Sequence, residues 1–421
     1  MIKEKIKKFY KENQLLNAIK NNIGNSIFSL SNLLTVTIDA LVLNVILVRF
    51  LSVSDLGDYK LIFSVINIII IFTLNGLNMS ISKAVAKRYK VFFIKGTIIS
   101  VLSSLVAGLV LVILSFTLYK NSDIRFALIY SSLIIPLYFG FNTWEAFLMG
   151  KRDFKSIFIY YLFLIGTRLA LCGVVIYFFR NFLYAALVFL IVTGIYNTVY
   201  FIRIFKRTKW EEVDRNREKE LIKHGARLTG ASVVSVIATN IERIILGAIS
   251  TSFMVGIYSI AHIIPTFIKD SLKTFISVPT MKLSSYDEKE NRRILKKYLF
   301  VIFISGLIIV GLFWLLIPIL LRVFFKVEDL EIIRYGRLML LPLIFMPVDL
   351  TIKSMCKYQG SGSSFFKLNT TTDAMKLAFL AIFIPFLKIY GIIIALTLTE
   401  FFTFIILLIW FAKSNKRFGV K

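Results

Sequence analysis

Twelve apolar segments, each long enough to cross a lipid bilayer as a helix, alternate with short polar gaps along this chain of 421 residues. A chain that crosses a bilayer must satisfy its backbone hydrogen bonds internally, and single segments of this length do so as α-helices. The sequence therefore predicts an all-α, polytopic membrane protein with about twelve transmembrane helices. The segments lie at residues 23–48, 59–81, 96–118, 126–149, 156–179, 182–205, 228–250, 254–277, 298–321, 335–356, 366–386 and 390–411.

Basic residues are concentrated in every second gap between these segments. Of the 51 Lys and Arg residues, 36 lie in the two tails and the even-numbered gaps, whereas 10 lie in the odd-numbered gaps. Because basic residues are retained on the cytoplasmic side, both termini are predicted to be cytoplasmic. Most of the formal net charge of +27 then borders anionic lipid headgroups, which argues against nucleic acid as a partner.

The chain divides into five predicted parts, none of them polar and long enough to fold as a separate water-soluble domain. The first part interleaves lysines with apolar residues, which is typical of an amphipathic helix lying on lipid headgroups. The parts are a cytoplasmic amphipathic segment (1–22), an N-terminal six-helix lobe (23–205), a cytoplasmic linker (206–227), a C-terminal six-helix lobe (228–411) and a cytoplasmic tail (412–421).

A short pattern occurs twice, once near the start of each predicted lobe. Gly57-Asp58-Tyr59 follows the first apolar segment, and Gly256-Ile257-Tyr258 follows the seventh, 199 positions later. An acidic residue precedes each copy, Asp39 in the first and Glu242 in the second. Two six-helix halves have the same orientation in the membrane, and parallel repeats of this kind are common in transporters that bind substrate between the halves. The pattern therefore favours a duplicated transporter.

Ionisable residues inside the apolar segments are the candidate functional residues. A charge at the centre of a bilayer costs about 2.5–3.5 kcal/mol or more, so such residues face a cavity or a partner of opposite charge. The helical rise per residue places Asp39, Arg168, Asp349 and Glu400 near the middle of the membrane. For Asp349 a structural alternative stays open, because Lys353 lies one turn further along the helix and can neutralise it.

Five basic residues lie inside the segments: Arg168, Arg243, Lys269, Lys273 and Lys376. Lys269 and Lys273 follow His262 and Thr266 at helical spacing, so these side chains are predicted to share one face. Lys376 is expected to pair with Asp373, three residues earlier on the same helix.

No catalytic motif is present in the sequence. There is no Gly-x4-Gly-Lys-Ser/Thr loop for nucleotide phosphates, and His224 and His262 have no neighbouring Cys or second His that would favour a zinc site. The gaps on the predicted outer side are also too short to carry a catalytic domain. The sequence therefore predicts no enzyme activity, no cofactor and no bound metal.

Several strings resemble a known family. They are Arg49–Tyr59, Leu74–Asn78, Gly150-Lys151-Arg152 and Gly256–Ser259. In these strings, and over nearly its whole length, the chain resembles the polysaccharide repeat-unit flippases of O-antigen and capsule biosynthesis. These proteins form part of the multidrug/oligosaccharidyl-lipid/polysaccharide (MOP) exporter superfamily.

The resemblance implies a V-shaped pair of six-helix lobes in the bacterial inner membrane. By alternating access, such a protein moves an undecaprenyl-diphosphate-linked oligosaccharide from the cytoplasmic to the outer leaflet. Coupling to H⁺ or Na⁺ and contact with the glycan polymerase machinery are further expectations. A multidrug or cation antiporter of the same superfamily, or a polytopic glycan polymerase, stays open as an alternative.

A diphosphate headgroup is anionic, so a protein that carries it needs cations along its path. On this reasoning Arg168, Arg243, Lys269 and Lys273 are expected to bind the headgroup. The acidic residues Asp39, Glu242, Asp349 and Glu400 are expected to act in ion coupling or in gating between the lobes.

Overall fold

The computed structural model describes residues 28, 31–32, 34–118, 121–210, 212, 214–282, 288–359 and 362–417. The predicted amphipathic segment (1–22) lies outside the described residues. The described residues form helices and turns and contain no strand.

The first half of the chain contains eight helices among the described residues, and the second half contains seven. The first eight are α1 (34–50), α2 (Val53–Ile69), α3 (Leu77–Ala86), α4 (Phe92–Leu118), α5 (Ser122–Ile135), α6 (Trp144–Lys151), α7 (Phe154–Phe179) and α8 (Phe182–Arg207). The others are α9 (Arg215–Ile249), α10 (Ser252–Lys282), α11 (Glu288–Phe325), α12 (Leu330–Leu338), α13 (Met346–Gln359), α14 (Gly362–Leu387) and α15 (Ile389–Arg417).

The helices confirm the predicted fold class. Within the described residues, 10 helices are long and apolar enough to cross a membrane. An eleventh span results if the pair Leu330–Ile344 and Met346–Cys356, bent by 42°, is taken as one. These spans coincide with the second to twelfth apolar segments, and α1 falls in the first. The protein is therefore an all-α, multi-pass membrane protein.

Three of the spans are interrupted, and the interruptions have local causes. The second span breaks between α2 and α3, where Leu74 adopts a left-handed conformation with φ of 50°. The fourth breaks at a π-helical turn that begins with Pro136, and the tenth breaks at a 3-10 turn that contains Pro342. Proline lacks the backbone donor that an unbroken helix requires, so it favours such breaks.

The two halves of the chain meet where α2 crosses α10, and two glycines allow this close approach. A Cβ atom on Gly57 would lie 1.8 Å from the backbone oxygen of Ser252, and one on Gly256 would lie 1.9 Å from that of Val53. The contact is reciprocal, since Val53 and Gly57 precede Ser252 and Gly256 by the same 199 positions. The two copies of the sequence pattern thus pack against each other, as in an isologous interface.

Two polar contacts join the lobes at the same end of the molecule. The Ser252 hydroxyl donates a hydrogen bond to the Asp58 carboxylate. The Arg49 guanidinium, at the end of α1, donates to the carbonyl oxygens of Phe324 and Val323 at 2.7 and 2.9 Å. Those carbonyls belong to the last turn of α11, where unpaired carbonyl groups attract a cation.

Helix α9 packs against the N-terminal lobe along its length, although it carries residues of the C-terminal lobe. Just before its midpoint, Thr229 accepts a hydrogen bond from the Gly76 N–H at 2.9 Å, and Gly225 lies against Leu77. Near its end, Gly247 lies against Leu61 of α2. Helix α9 therefore forms a continuous seam between the lobes.

The connection before α9 is also attached to the N-terminal lobe. The Tyr89 hydroxyl accepts a hydrogen bond from the Asp214 N–H at 2.9 Å and donates one to the Asp214 carbonyl at 3.2 Å. The Trp210 indole stacks on Phe93, with ring centroids 6.1 Å apart. Much of the predicted linker is helical, because 206–207 end α8 and 215–227 begin α9.

The glycine contact generates a prediction for Gly256. Replacing it with Ala places a methyl group on the Val53 carbonyl, and overpacking of this kind costs about 1–3 kcal/mol. We expect the Gly256→Ala variant to melt at a lower temperature than the wild-type protein in detergent micelles. Gly311→Ala is the matched control, because a Cβ there meets nothing within 4 Å. Equal melting temperatures for the two variants would contradict the prediction.

Candidate functional site between the lobes

A central cavity of about 600 Å³ lies between the two lobes. It separates α1 from α10, and α2, α6, α7 and α9 complete its walls. The lining residues are Val36, Thr37, Ala40, Leu41, Asn44, Lys60, Glu145, Tyr161, Arg243, Ser259, His262, Ile263, Thr266, Phe267, Asp270, Lys273 and Thr274.

Two cations from opposite lobes line this cavity without a carboxylate partner. Lys60 on α2 donates a hydrogen bond to the Asn44 amide oxygen at 2.5 Å. Arg243 on α9 lies over the Tyr258 ring, 5.8 Å from its centroid. Neither forms an ion pair with any carboxylate of the described residues. The two basic groups are therefore available to an anion between the lobes.

The acidic residues of the central cavity have partners of their own. Tyr161 donates a hydrogen bond from its hydroxyl to the Glu145 carboxylate at 2.7 Å. Asp270 accepts one from the Lys273 ammonium at 3.0 Å, one turn along α10. Lys273, which the sequence predicted as a headgroup-binding cation, is thus paired with Asp270. The electrostatic character of the cavity is set by Lys60 and Arg243.

A second cavity of about 410 Å³ lies inside the C-terminal lobe and adjoins the first. The two share Arg243, His262, Thr266, Asp270 and Lys273 as lining residues. The ionisable residues found only in the second cavity are Glu242, Lys269, Asp349, Lys353, Asp373, Lys376 and Glu400. Lys269 thus lies in the C-terminal cavity and not in the cavity between the lobes.

Glu242 is the most fully partnered acid of the C-terminal cavity. It is 2% exposed, and one carboxylate oxygen accepts a hydrogen bond from the Tyr258 hydroxyl at 2.7 Å. The other lies 3.4 Å from the Lys376 ammonium on α14. The expected pairing of Lys376 with Asp373 is therefore wrong. Packing of α14 against α9 brings Lys376 to a buried carboxylate, whereas Asp373 forms a hydrogen bond with Ser235 of α9.

Asp349 is buried in the same cavity and lacks a basic partner at short range. It is 2% exposed, and no Lys or Arg of the described residues lies within 4 Å of its carboxylate. The alternative pairing with Lys353 is therefore not formed. Glu400 on α15 lies close enough to Asp349 for the two carboxyl groups to interact. Two such groups side by side favour binding of a proton or a cation.

Arg168 lies in the interior of the N-terminal lobe and lines neither cavity. It forms an ion pair with Asp39 of α1, and both residues are 7% exposed. Its guanidinium also donates to the Thr193 hydroxyl at 3.1 Å and lies 4.2 Å from the centroid of the Phe189 ring. Arg168 thus fastens α1 to α7 and α8.

The two buried ion pairs occupy corresponding places in the two lobes. Asp39 on the first span pairs with Arg168 on the fifth, and Glu242 on the seventh span pairs with Lys376 on the eleventh. In each lobe, the acid that precedes the repeated Gly-x-Tyr pattern is paired with a basic residue that lies four spans later in the chain. The duplication seen in sequence therefore extends to the internal charges of the lobes.

Lys60 is the functional candidate that the sequence prediction missed. It lies at the boundary of the second apolar segment, so it was counted with the basic residues of the first gap. In the structure α2 begins earlier, because the Ser52 hydroxyl caps it by accepting a hydrogen bond from the Asp55 N–H at 3.1 Å. The Ser52-x-x-Asp55 spacing is the signal that could have revealed a lysine two turns inside a helix.

Two helical lobes with a cavity between them that contains ionisable side chains are an arrangement found in membrane transporters. A family model described as polysaccharide biosynthesis protein matches residues 23–283, which is more than half of the chain. The chain belongs to this family. No curated protein matches the chain by sequence.

Solved structures with a similar fold are transporters of the MOP superfamily. A multidrug resistance MATE family transporter in the inward-facing conformation has a TM-score of 0.69 at 18% identity, over 90% of this chain and 95% of the other. A structure of such a transporter in the outward-facing conformation has a TM-score of 0.61 at 17% identity, over 94% of this chain and 95% of the other. A MOP superfamily transporter from Pyrococcus furiosus has a TM-score of 0.59 at 16% identity, over 91% of this chain and 95% of the other. It is described as having a binding pocket of reverse polarity. The predicted MOP/MATE-like fold is thus confirmed.

The Arg168–Asp39 pair generates a prediction about stability. Removing one partner leaves an uncompensated buried charge, at a cost of about 3–5 kcal/mol. We expect Arg168→Met and Asp39→Asn each to lower the melting temperature in detergent and the amount of protein in the membrane. The double variant should recover part of this loss, because it leaves no unpaired charge. Strictly additive losses would show that the two side chains do not interact.

Proposed function

We propose that this protein moves an undecaprenyl-diphosphate-linked oligosaccharide repeat unit from the cytoplasmic to the outer leaflet of a bacterial inner membrane. The repeat unit would serve O-antigen or capsule biosynthesis. The family description supports a role in polysaccharide biosynthesis, and the fold supports transport. The observation that carries the proposal is the pair of uncompensated cations, Lys60 and Arg243, in the cavity between the lobes.

The chemistry of the cavity suits a lipid-linked sugar. The Arg243 guanidinium can hold a phosphate through two parallel hydrogen bonds, and the Lys60 ammonium offers a point charge to the same group. Hydroxyl, amide and carboxylate groups on Asn44, Glu145 and Tyr161 can accept or donate hydrogen bonds to sugar hydroxyls. The prenyl chain would stay in the bilayer on the side where α1 and α10 are separated by the cavity.

The acidic residues are proposed to act in coupling and gating. Asp349 and Glu400 are candidates for H⁺ or Na⁺ binding, because they are neighbours in a cavity that joins the transport path. Asp39 and Glu242 hold their lobes together through the two repeated ion pairs. We assign Arg243 and Lys60 to headgroup binding, with Lys269 deeper in the C-terminal lobe. Lys273 stays in that set because its ion pair with Asp270 is exposed and therefore weak. Arg168 leaves the set, since its guanidinium is buried against Asp39.

Substitution of the two cavity cations tests the proposal. We expect Lys60→Ala and Arg243→Ala to abolish surface glycan, with lipid-linked repeat units accumulating in the cell, because the diphosphate loses a charged partner. Lys60→Arg should retain activity, since it keeps the charge. The matched control is Lys155→Ala, an exposed lysine remote from both cavities. Surface glycan is measured by immunoblotting, with membrane abundance of each variant in parallel.

The alternatives predict other outcomes for the same strains. Multidrug export is favoured by the names of the structural neighbours, and it predicts increased resistance to cationic dyes without a change in surface glycan. A glycan polymerase predicts that deletion leaves single repeat units on the outer surface. Normal glycan display in both Ala variants would remove the two cations from the site.

A second prediction concerns the contact between Asp58 and Ser252. If the lobes separate at this end during transport, a covalent link should stop the cycle. We expect Asp58→Cys/Ser252→Cys to form a disulfide under mild oxidation and to lose transport, with recovery after reduction. Cys172 and Cys356 are buried and are replaced by Ser in the background. Either single Cys variant is the control. Full transport by the oxidised double variant would contradict separation at this contact.

A further inference from the structure

A third cavity, of about 450 Å³, lies on the outer surface of the N-terminal lobe between α7 and α8. It shares no lining residue with the central cavity or the C-terminal cavity. The residues that matter for its chemistry are Ile159, Tyr160 and Phe163 of α7, and Tyr200, Arg203 and Arg207 of α8.

Two stacked tyrosines form a rigid wall of this cavity. The rings of Tyr160 and Tyr200 are nearly parallel, with an interplanar angle of 15° and centroids 4.1 Å apart. The Tyr200 hydroxyl donates a hydrogen bond to the Tyr160 carbonyl at 2.8 Å, which fixes one ring against the other helix. The wall is therefore held in place without a ligand.

Two arginines lie beside this wall. Arg203 and Arg207 are one turn apart on α8 and share a face, and the Arg203 guanidinium lies 5.5 Å from the centroid of the Tyr160 ring. Both are exposed, and neither forms an ion pair with a described carboxylate. The nearby carboxylate of Asp153 instead accepts hydrogen bonds from the hydroxyl and the N–H of Ser156, at 2.7 and 3.1 Å.

The rest of the cavity is apolar and faces the surroundings of the lobe. Ile159 and Phe163 are 37% and 61% exposed, one turn apart on α7. The arginines lie in the last two turns of α8, at the end of a membrane span. Tyrosine and arginine are enriched where a span meets the headgroups, and exposed apolar side chains next to them contact acyl chains.

From this arrangement we propose that the cavity between α7 and α8 binds an anionic phospholipid of the surrounding leaflet. Arg203 and Arg207 hold the phosphate, Tyr160 and Tyr200 support the glycerol region, and Ile159 and Phe163 contact an acyl chain. A negative headgroup supplies the counter-charge that the two arginines lack. The apolar half of the site favours a ligand with an acyl chain over a purely ionic one. The bound lipid would join α7 and α8 away from the transport path.

The test uses the purified full-length protein in neutral detergent and measures lipid retention by native mass spectrometry and stability by thermal melting. Phosphatidylglycerol should be retained and should raise the melting temperature of the wild-type protein, whereas phosphatidylcholine should not. Retention should fall about tenfold or more in Arg203→Gln/Arg207→Gln, since two charge-assisted hydrogen bonds are lost.

Lys206→Gln/Lys209→Gln is the matched control. It removes the same charge from the same end of α8, at exposed positions that do not line the cavity. Equal lipid retention by the two double variants would overturn the proposal, because general attraction to basic residues would then explain the binding. Equal stabilisation by inorganic phosphate and by phosphatidylglycerol would also overturn it, in favour of a phosphate site. Glycan export does not enter either readout, so the proposal stands or falls independently of the transported substrate.

Discussion

The close approach of α2 and α10 is the constraint on which the arrangement of the lobes depends. Gly57 and Gly256 allow the two backbones to touch, and no other residue type fits there without displacing a carbonyl group. Lys60 lies one turn after Gly57. Tyr258 lies two residues after Gly256, and the Arg243 guanidinium lies over its ring. The contact that joins the lobes thus also sets the positions of the cations that face each other between them.

Much of the fold could be predicted from the sequence, because membrane spans are encoded in composition and length. The apolar segments match the helices, and the repeated Gly-x-Tyr pattern marks the two helices that meet. The candidate site was harder to predict. Arg168 and Lys376 are buried ionisable residues, as expected, but partner choice depends on how distant helices pack. Lys60 was missed because a polar N-cap, Ser52, seven residues before the second apolar segment, decides where α2 starts.

The two lobes resemble each other more in the positions of their buried ion pairs than in the sequence around those residues. Asp39 and Glu242 correspond, but Arg168 and Lys376 differ in type, and the strings around them share no obvious motif. What the two lobes retain is a buried acid on the first span and a cation on the fifth. A buried charge without a partner is costly, so each lobe pairs its buried acid with a cation, which is an arginine in one lobe and a lysine in the other.

The seam along α9 has a mechanical consequence. Contacts at Thr229 near its middle and Gly247 near its end fasten this helix to α3 and α2, whereas α1 and α10 have the cavity between them. Helix α9 thus joins the two lobes on one side of the cavity. A rotation of one lobe against the other about α9 would therefore displace the residues of α1 and α10 that line the cavity more than the residues beside α9.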